Sequence, residues 1–246
     1  MPICLIVVDS LSYEYAPDLA GFRKSLCYSL ADNTEPSLAT ILTGLAPSEH
    51  KITTTGAPDN RQKLERVADR MLTRFCRSSF IASPAVIFHK YFTRSAVCKY
   101  VEELACSTLG GEEFILLHFM DVHDYRDVGR ATKYYKGFAE IPDNVLDWVA
   151  PSGLPRVQES LIQLTRDANL LRAKYLGAVE RSFEILQDII RQLSGYEIII
   201  TADHGEDLDY FHHHGRNTTR VPLYTRFEHE IKNHIDLYKF MRDYLA

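Results

Sequence analysis

The chain has 246 residues, 46% of them hydrophobic and 25% charged, which suits one large α/β domain and is short for two independent ones. A formal net charge of -5 argues against a general nucleic-acid binder, which carries a basic face. Five scattered cysteines (Cys4, Cys27, Cys76, Cys98 and Cys106) include no C-x-x-C pair, so they fit neither a disulfide framework nor a zinc knuckle.

In chain order, the first predicted element is the apolar run Ile3 to Val8, read as a buried strand that ends in Asp9. No basic region precedes it, and it is too short for a secretory signal or a membrane span. A cytoplasmic protein without membrane attachment is the expectation. From Thr34 to Gly44 the pattern predicts a short helix, with Pro36 suited to its first turn and Gly44 to its end. Thr34 then sits just before the helix N-terminus, where unpaired N–H groups attract an anion. Ser79–Ala82 reads as a weaker strand and Phe114 to Met120 as a strong one, ending in Asp121. Residues 126–155 are rich in Tyr, Gly, Pro and Asp and show no period. They read as a lid-like insertion in which Tyr134, Tyr135 and Trp148 could wall a substrate. A long helical pattern follows from Val157 to Leu193, then a strand over Glu197–Thr201 that leads into Asp203, then a weaker strand over 221–227. This alternation predicts an α/β fold: a mostly parallel central sheet with helices on both faces, in one domain.

Each of the three best strands thus runs into an aspartate. In an open parallel sheet the carboxyl ends of the strands share one edge, and ligands bind in the crevice there. Asp9, Asp121 and Asp203 gathered at that edge repel one another unless a cation neutralises them. His123 and His204 follow closely and add nitrogen donors suited to zinc or manganese. Thr34 supplies a hydroxyl that becomes a nucleophile when a divalent ion lowers its pKa.

These motifs resemble the alkaline phosphatase superfamily, which includes sulfatases, nucleotide pyrophosphatase/phosphodiesterases and cofactor-independent phosphoglycerate mutases. Ile6-Val7-Val8-Asp9 is similar to the family's first strand and metal-binding Asp. Thr34 to Gly44 has the spacing of the sulfatase signature Cys/Ser-x-Pro-Ser-Arg followed by Thr-Gly. Leu45 to His50 is similar to Gly-x-x-Pro-x-x-His, and Thr201-Ala202-Asp203-His204-Gly205-Glu206 to the second metal motif. The resemblance implies an alkaline-phosphatase-like fold and a metal-dependent ester hydrolase. Thr34 would be its nucleophile; Asp9, Thr34, Asp203 and His204 would hold one divalent ion. Asp121, His123 and His214 would hold a second, with Ser37 and His50 on the substrate side. Two ions, zinc or manganese, are expected; calcium or magnesium fits a single-ion site. His212 and His213 compete with His214 for the late ligand, and His214-Gly215 matches the family's His-Gly best. His89, His229 and His234 carry no motif and read as surface or capping residues.

The sequence also departs from the sulfatases. They carry Cys or Ser where Thr34 stands, matured to formylglycine, and Arg where Leu38 stands. Thr34 is instead similar to the phosphodiesterase pattern Thr-x-Pro-Asn, with Ser37 in place of the Asn. Small-molecule phosphate esters, mono- or diesters, are therefore the expected substrates. A sulfatase, a phosphotransferase or mutase, and a non-catalytic binding member are the alternatives.

Overall fold

The computed structural model describes residues 1–82, 87–97, 111–126, 168–208 and 218–246. The expected insertion at 126–155 lies almost wholly outside them, with Tyr134, Tyr135 and Trp148, as do His212, His213 and His214. Seven strands form one sheet: β1 (Ile3–Val8), β2 (Arg23–Tyr28), β3 (Ser78–Ala82), β4 (Arg94–Val97), β5 (Phe114–Phe119), β6 (Glu197–Thr201) and β7 (Arg220–Thr225). Their order is β2-β7-β6-β1-β5-β3-β4. Only β7 runs against the rest, pairing antiparallel with both β2 and β6.

The three runs that looked like buried strands occupy the centre. Every residue of β1 and β5 is buried, and so is β6 after its first residue. Successive side chains of a strand point to opposite faces, so strands buried along their whole length require cover on both faces of the sheet. Helices provide it: α1 (Thr34–Thr43), α2 (Pro47–His50), α3 (Asn60–Arg66), α4 (Ala168–Gln192) and α5 (His234–Leu245). Along α4 the buried residues Tyr175, Val179, Phe183, Leu186 and Ile190 recur at helical spacing and form its core-facing stripe. The helical pattern expected from Val157 begins at Ala168 among the described residues. No helix described here is long and apolar enough to cross a membrane.

Strands β2 and β4 and helix α5 escaped the sequence reading. Both strands are edge strands with exposed residues, so neither has the all-apolar run of a central strand. Helix α5 is announced by Asn233, whose Oδ1 accepts from the Ile235 and Asp236 N–H groups at 3.0 Å each. Pro222 marks where the ladder between β6 and β7 ends. The pairs are Ile200–Tyr224 and Thr201–Leu223, and the next position falls on a residue with no N–H to donate. Past that point the chain after β6 peels from the sheet, carrying Asp203 and His204 toward the strand ends.

Candidate active site

Three chain segments converge where β1, β5 and β6 end. Asp9 follows β1, Asp203 and His204 follow β6, and Thr34 opens α1. Parallel pairing of β1 with both β5 and β6 puts these exits side by side. Thr34 is the first residue of α1, with Asn33 in extended conformation as its N-cap, one residue further into the helix than the sequence suggested. Its hydroxyl donates to Asp9 Oδ2 at 3.1 Å. Asp9, Asp203 and His204 are buried and offer three ligand atoms within 4.8 Å of one another. Thr34 is only half-buried, whereas Asp9, Asp203 and His204 are buried, so solvent or a substrate approaches the group from the Thr34 side.

The turn after β1 is built for this arrangement. Ser10 adopts φ 64, a left-handed conformation that costs a side-chain-bearing residue energy. Held that way, its N–H donates to Asp203 Oδ1 at 3.2 Å and its hydroxyl to Asp9 Oδ1 at 3.0 Å. The His204 N–H gives Asp203 Oδ1 a second bond at 2.8 Å. Tyr175, buried on α4, steadies the same turn: its hydroxyl donates to Ser10 O and accepts from the Ser12 N–H. Ser12 Oγ in turn bridges to the Glu206 backbone in both directions at 2.8 Å. The loops after β1 and β6 are therefore stitched together, and both carboxylates are aimed before any ligand arrives.

His118 belongs to this cluster and was not singled out from the sequence. It sits fully buried in β5, opposite Val7 of β1. Its Nε2 lies 3.2 Å from Asp9 Oδ2 and 3.9 Å from Asp203 Oδ2. On the other side, His204 Nε2 lies 3.6 Å from Asp9 Oδ1 and 3.5 Å from Asp203 Oδ2, while its Nδ1 contacts Gly205 O. Burial alone would strip His118 of its proton, but the two carboxylates outweigh it and lift the imidazole to about 9. His204 is raised for the same reason, again against burial. For Asp9, burial opposes the charge; contact with His118 and the fields of His123, His204 and His118 together hold it well below the usual carboxylate range. The pocket thus draws positive charge strongly.

A divalent cation fits these residues. Asp203 Oδ2 is buried and has no hydrogen-bond partner, although it faces the centre of the cluster. Two carboxylates and imidazole nitrogen around one point match the donors zinc takes. Ligand carboxylates are in turn oriented by hydrogen bonds, as Ser10 and His204 orient Asp203 here.

The other expected site residues divide. Asp121 is buried just beyond β5 on the same edge, and His123 opens a single 3-10 turn close enough for its charge to act on Asp9. The three-donor group found among the described residues includes neither of them, and their intended third member, His214, lies outside. Ser37 is buried and turned toward the loop before α1, with its hydroxyl 3.0 Å from Ser29 Oγ and donating to Ala31 O. At His50 both ring nitrogens are engaged, Nδ1 accepting from the Ile52 N–H and Nε2 meeting Thr40 Oγ1 at 3.2 Å. Burial lowers its pKa to about 4, so it is a neutral brace between α1 and α2. His234, read as a surface or capping residue, is instead fully buried, with Nε2 3.1 Å from Ala202 O directly before Asp203.

The N-terminus of α1 is more selective than a bare helix end. Glu35 N–H goes to Thr55 Oγ1 at 3.0 Å, Pro36 has none, and Ser37 N–H returns to Asn33 O at 3.3 Å. Thr34 N–H is the one left for an anion, beside the hydroxyl of the same residue.

Solved structures share this arrangement of strands and helices. BT4656, solved in complex with its substrate D-glucosamine-2-N,6-O-disulfate, matches with a TM-score of 0.67 at 13% identity, over 99% of this chain and 76% of that one. The periplasmic domain of EptC from Escherichia coli matches with a TM-score of 0.61 at 11% identity, over 98% and 81%. The phosphonate monoester hydrolase of Agrobacterium radiobacter gives 0.61 at 13%, over 99% and 73%.

The fold is alkaline-phosphatase-like.

The likeness lies in the fold, since no family model and no curated protein matches the sequence. The EptC domain has also been solved in complex with zinc, in a structure that aligns with a TM-score of 0.56 at 13% identity.

Proposed function

We propose that the chain is a metal-dependent hydrolase of small-molecule phosphate esters that uses Thr34 as its nucleophile. The observation that carries this reading is the 3.1 Å contact from Thr34 Oγ1 to Asp9 Oδ2, at the half-exposed rim of a buried Asp9–Asp203–His204 cluster. Asp9, Thr34, Asp203 and His204 would hold a divalent ion, whose charge would acidify the threonine hydroxyl, much as a bound metal takes water from 15.7 to about 7. The hydroxyl proton points at Asp9, which leaves the oxygen's lone pairs to face phosphorus. Thr34 N–H meets a non-bridging oxygen of the ester. Attack in line with the leaving alcohol forms a phospho-threonine, and water then releases phosphate and restores the hydroxyl. By the sequence resemblance, Asp121, His123 and His214 would supply a second donor set, for another ion or for the ester's remaining oxygens.

Threonine decides the ester class. A sulfatase on this scaffold relies on an aldehyde hydrate made from Cys or Ser, which Thr34 cannot become. Aryl phosphate mono- or diesters should therefore be turned over well ahead of the aryl sulfate with the same leaving group. The comparison needs one metal at a time and protein shown by mass spectrometry to be unmodified at Thr34. A higher kcat/KM for the aryl sulfate than for both phosphate esters would overturn the proposal. Exhaustive chelation should abolish hydrolysis and zinc or manganese should restore it; activity that persists in verified metal-free protein rules out the metal-dependent route.

A further inference from the structure

We infer that His118 is a fifth protein ligand of the cation site, which adds a second imidazole to Asp9, Thr34, Asp203 and His204 and makes the site selective for zinc over calcium or magnesium. The inference rests on the proposed metal dependence and goes beyond it in naming a donor from β5 and the metal that donor selects. Histidine is costly in the middle of an all-buried strand, because its ring nitrogens need partners. In His118 both nitrogens lie buried without a hydrogen bond of good geometry. Nε2 nevertheless points at the carboxylates, 3.2 Å from Asp9 Oδ2 and 3.9 Å from Asp203 Oδ2. Asp203 Oδ2, the atom between the two imidazoles, is the other buried polar atom of the cluster without a hydrogen bond.

Asp203 Oδ2 stands 3.5 Å from His204 Nε2 and 3.9 Å from His118 Nε2, within reach of both imidazoles. A zinc ion there satisfies Asp203 Oδ2 and His118 Nε2 together. Hard oxygen-seeking cations gain little from a second imidazole, whereas zinc binds it readily. Val7 stands opposite His118 in the β1–β5 register, so the strand that carries Asp9 also carries the imidazole's neighbour, and the donor is delivered by a rigid element.

The test uses the full chain and zinc itself. X-ray absorption at the zinc edge, with one zinc per chain, should count two imidazoles in the parent and one in His118→Gln. Competition against a chromophoric chelator should show zinc affinity falling more than about a hundredfold in His118→Gln, beyond the roughly 10–100-fold that loss of an outer partner produces. Preference for zinc over magnesium should shrink alongside. Far-ultraviolet dichroism of chelated parent and variant checks the fold, and should the variant fail to fold, the imidazole count in the parent still decides. One imidazole in the parent, or two retained in His118→Gln, overturns the assignment while leaving metal-dependent hydrolysis intact. A parent that takes up no zinc overturns the assignment, and one that takes up neither zinc nor manganese overturns both readings.

Discussion

Helix α1 is tied at its N-terminal end by hydrogen bonds and at its C-terminal end by contact. Around Thr34, Asn33 Oδ1 accepts from the N–H and the hydroxyl of Thr55, each at 2.9 Å. Thr55 in turn takes the Glu35 N–H, and buried Glu35 takes the Gly56 N–H and Asn60 Nδ2. Around Gly44 the side-chain bonds are fewer: Thr43 Oγ1 donates to Ala39 O at 2.6 Å and accepts from the Leu45 N–H at 3.3 Å. The glycine adopts φ 69, its N–H closes the helix on Thr40 O, and the ring of Tyr238 from α5 lies where a side chain would start. Directional bonds hold the reactive end in one geometry while leaving Thr34 half-exposed. Close packing holds the other end with nothing exposed to react. The two ends should therefore fail differently, one losing chemistry and the other losing stability.

The largest effect is expected at Thr34. Thr34→Ala should cost at least about a thousandfold in kcat, roughly 4 kcal/mol of transition-state stabilisation, with an unchanged melting temperature. Thr34→Ser should keep measurable turnover because the hydroxyl survives. Equal turnover in Thr34→Ala and parent would reduce Thr34 to a helix residue.

Next comes Gly44→Ala. The new Cβ would stand 2.2 Å from Tyr238 Cδ1, and the ring is anchored by its hydroxyl to Arg70 O at 2.8 Å. At least about 2 kcal/mol of stability should be lost from overpacking and the left-handed φ, a fall of roughly 4–8 °C in Tm. Activity measured well below the transition should stay near the parent's. An unchanged Tm would show that α5 yields easily.

Asn60→Ala tests the mesh itself. It removes donors to Glu35 Oε2 at 2.6 Å and to Thr54 O at 2.7 Å, and should cost about 1–2 kcal/mol on thermal or denaturant unfolding. Because it also loosens the loop that holds Glu35, kcat should fall several-fold with little change in KM. A stability loss with kcat untouched would mean that the reactive end needs less support than its hydrogen bonds suggest.

The smallest expected effect is at Tyr175. Tyr175→Phe keeps the ring packed against Tyr15 and Tyr125 but deletes the bonds to Ser10 O and from the Ser12 N–H, for about 1 kcal/mol. Metal affinity should weaken modestly, since Ser10 is what aims both carboxylates.

Much of this architecture was legible in the sequence because its signals are local. Ile3–Val8 and Glu197–Thr201 carry the continuous apolar runs that a two-sided sheet demands, and the observed β1 and β6 have those same limits. The aspartates after these strands, and the Pro36 and Gly44 that bracket α1, follow from strand ends and helix ends alone. Edge strands β2 and β4 were not legible, because one exposed face and one open edge remove the pressure for an apolar run.

The roles of individual polar residues needed the tertiary structure. His118 was given no ligand role from the sequence, and only the β1–β5 register sets it against Asp9. His234 reads as a surface residue until α5 folds back and buries it behind Ala202. Ser37 and His50 carry motif positions that suggest contact with substrate; the structure shows their hydrogen bonds also bracing the loop before α1 and linking α1 to α2. A residue type and its spacing determine which local conformation is cheap, and so the sequence by itself determined the central strands and their acidic ends. Where a side chain points, and which charge it meets, depends on neighbours that packing brings to it, for His118 an aspartate more than a hundred residues away, and only the packed structure decided that.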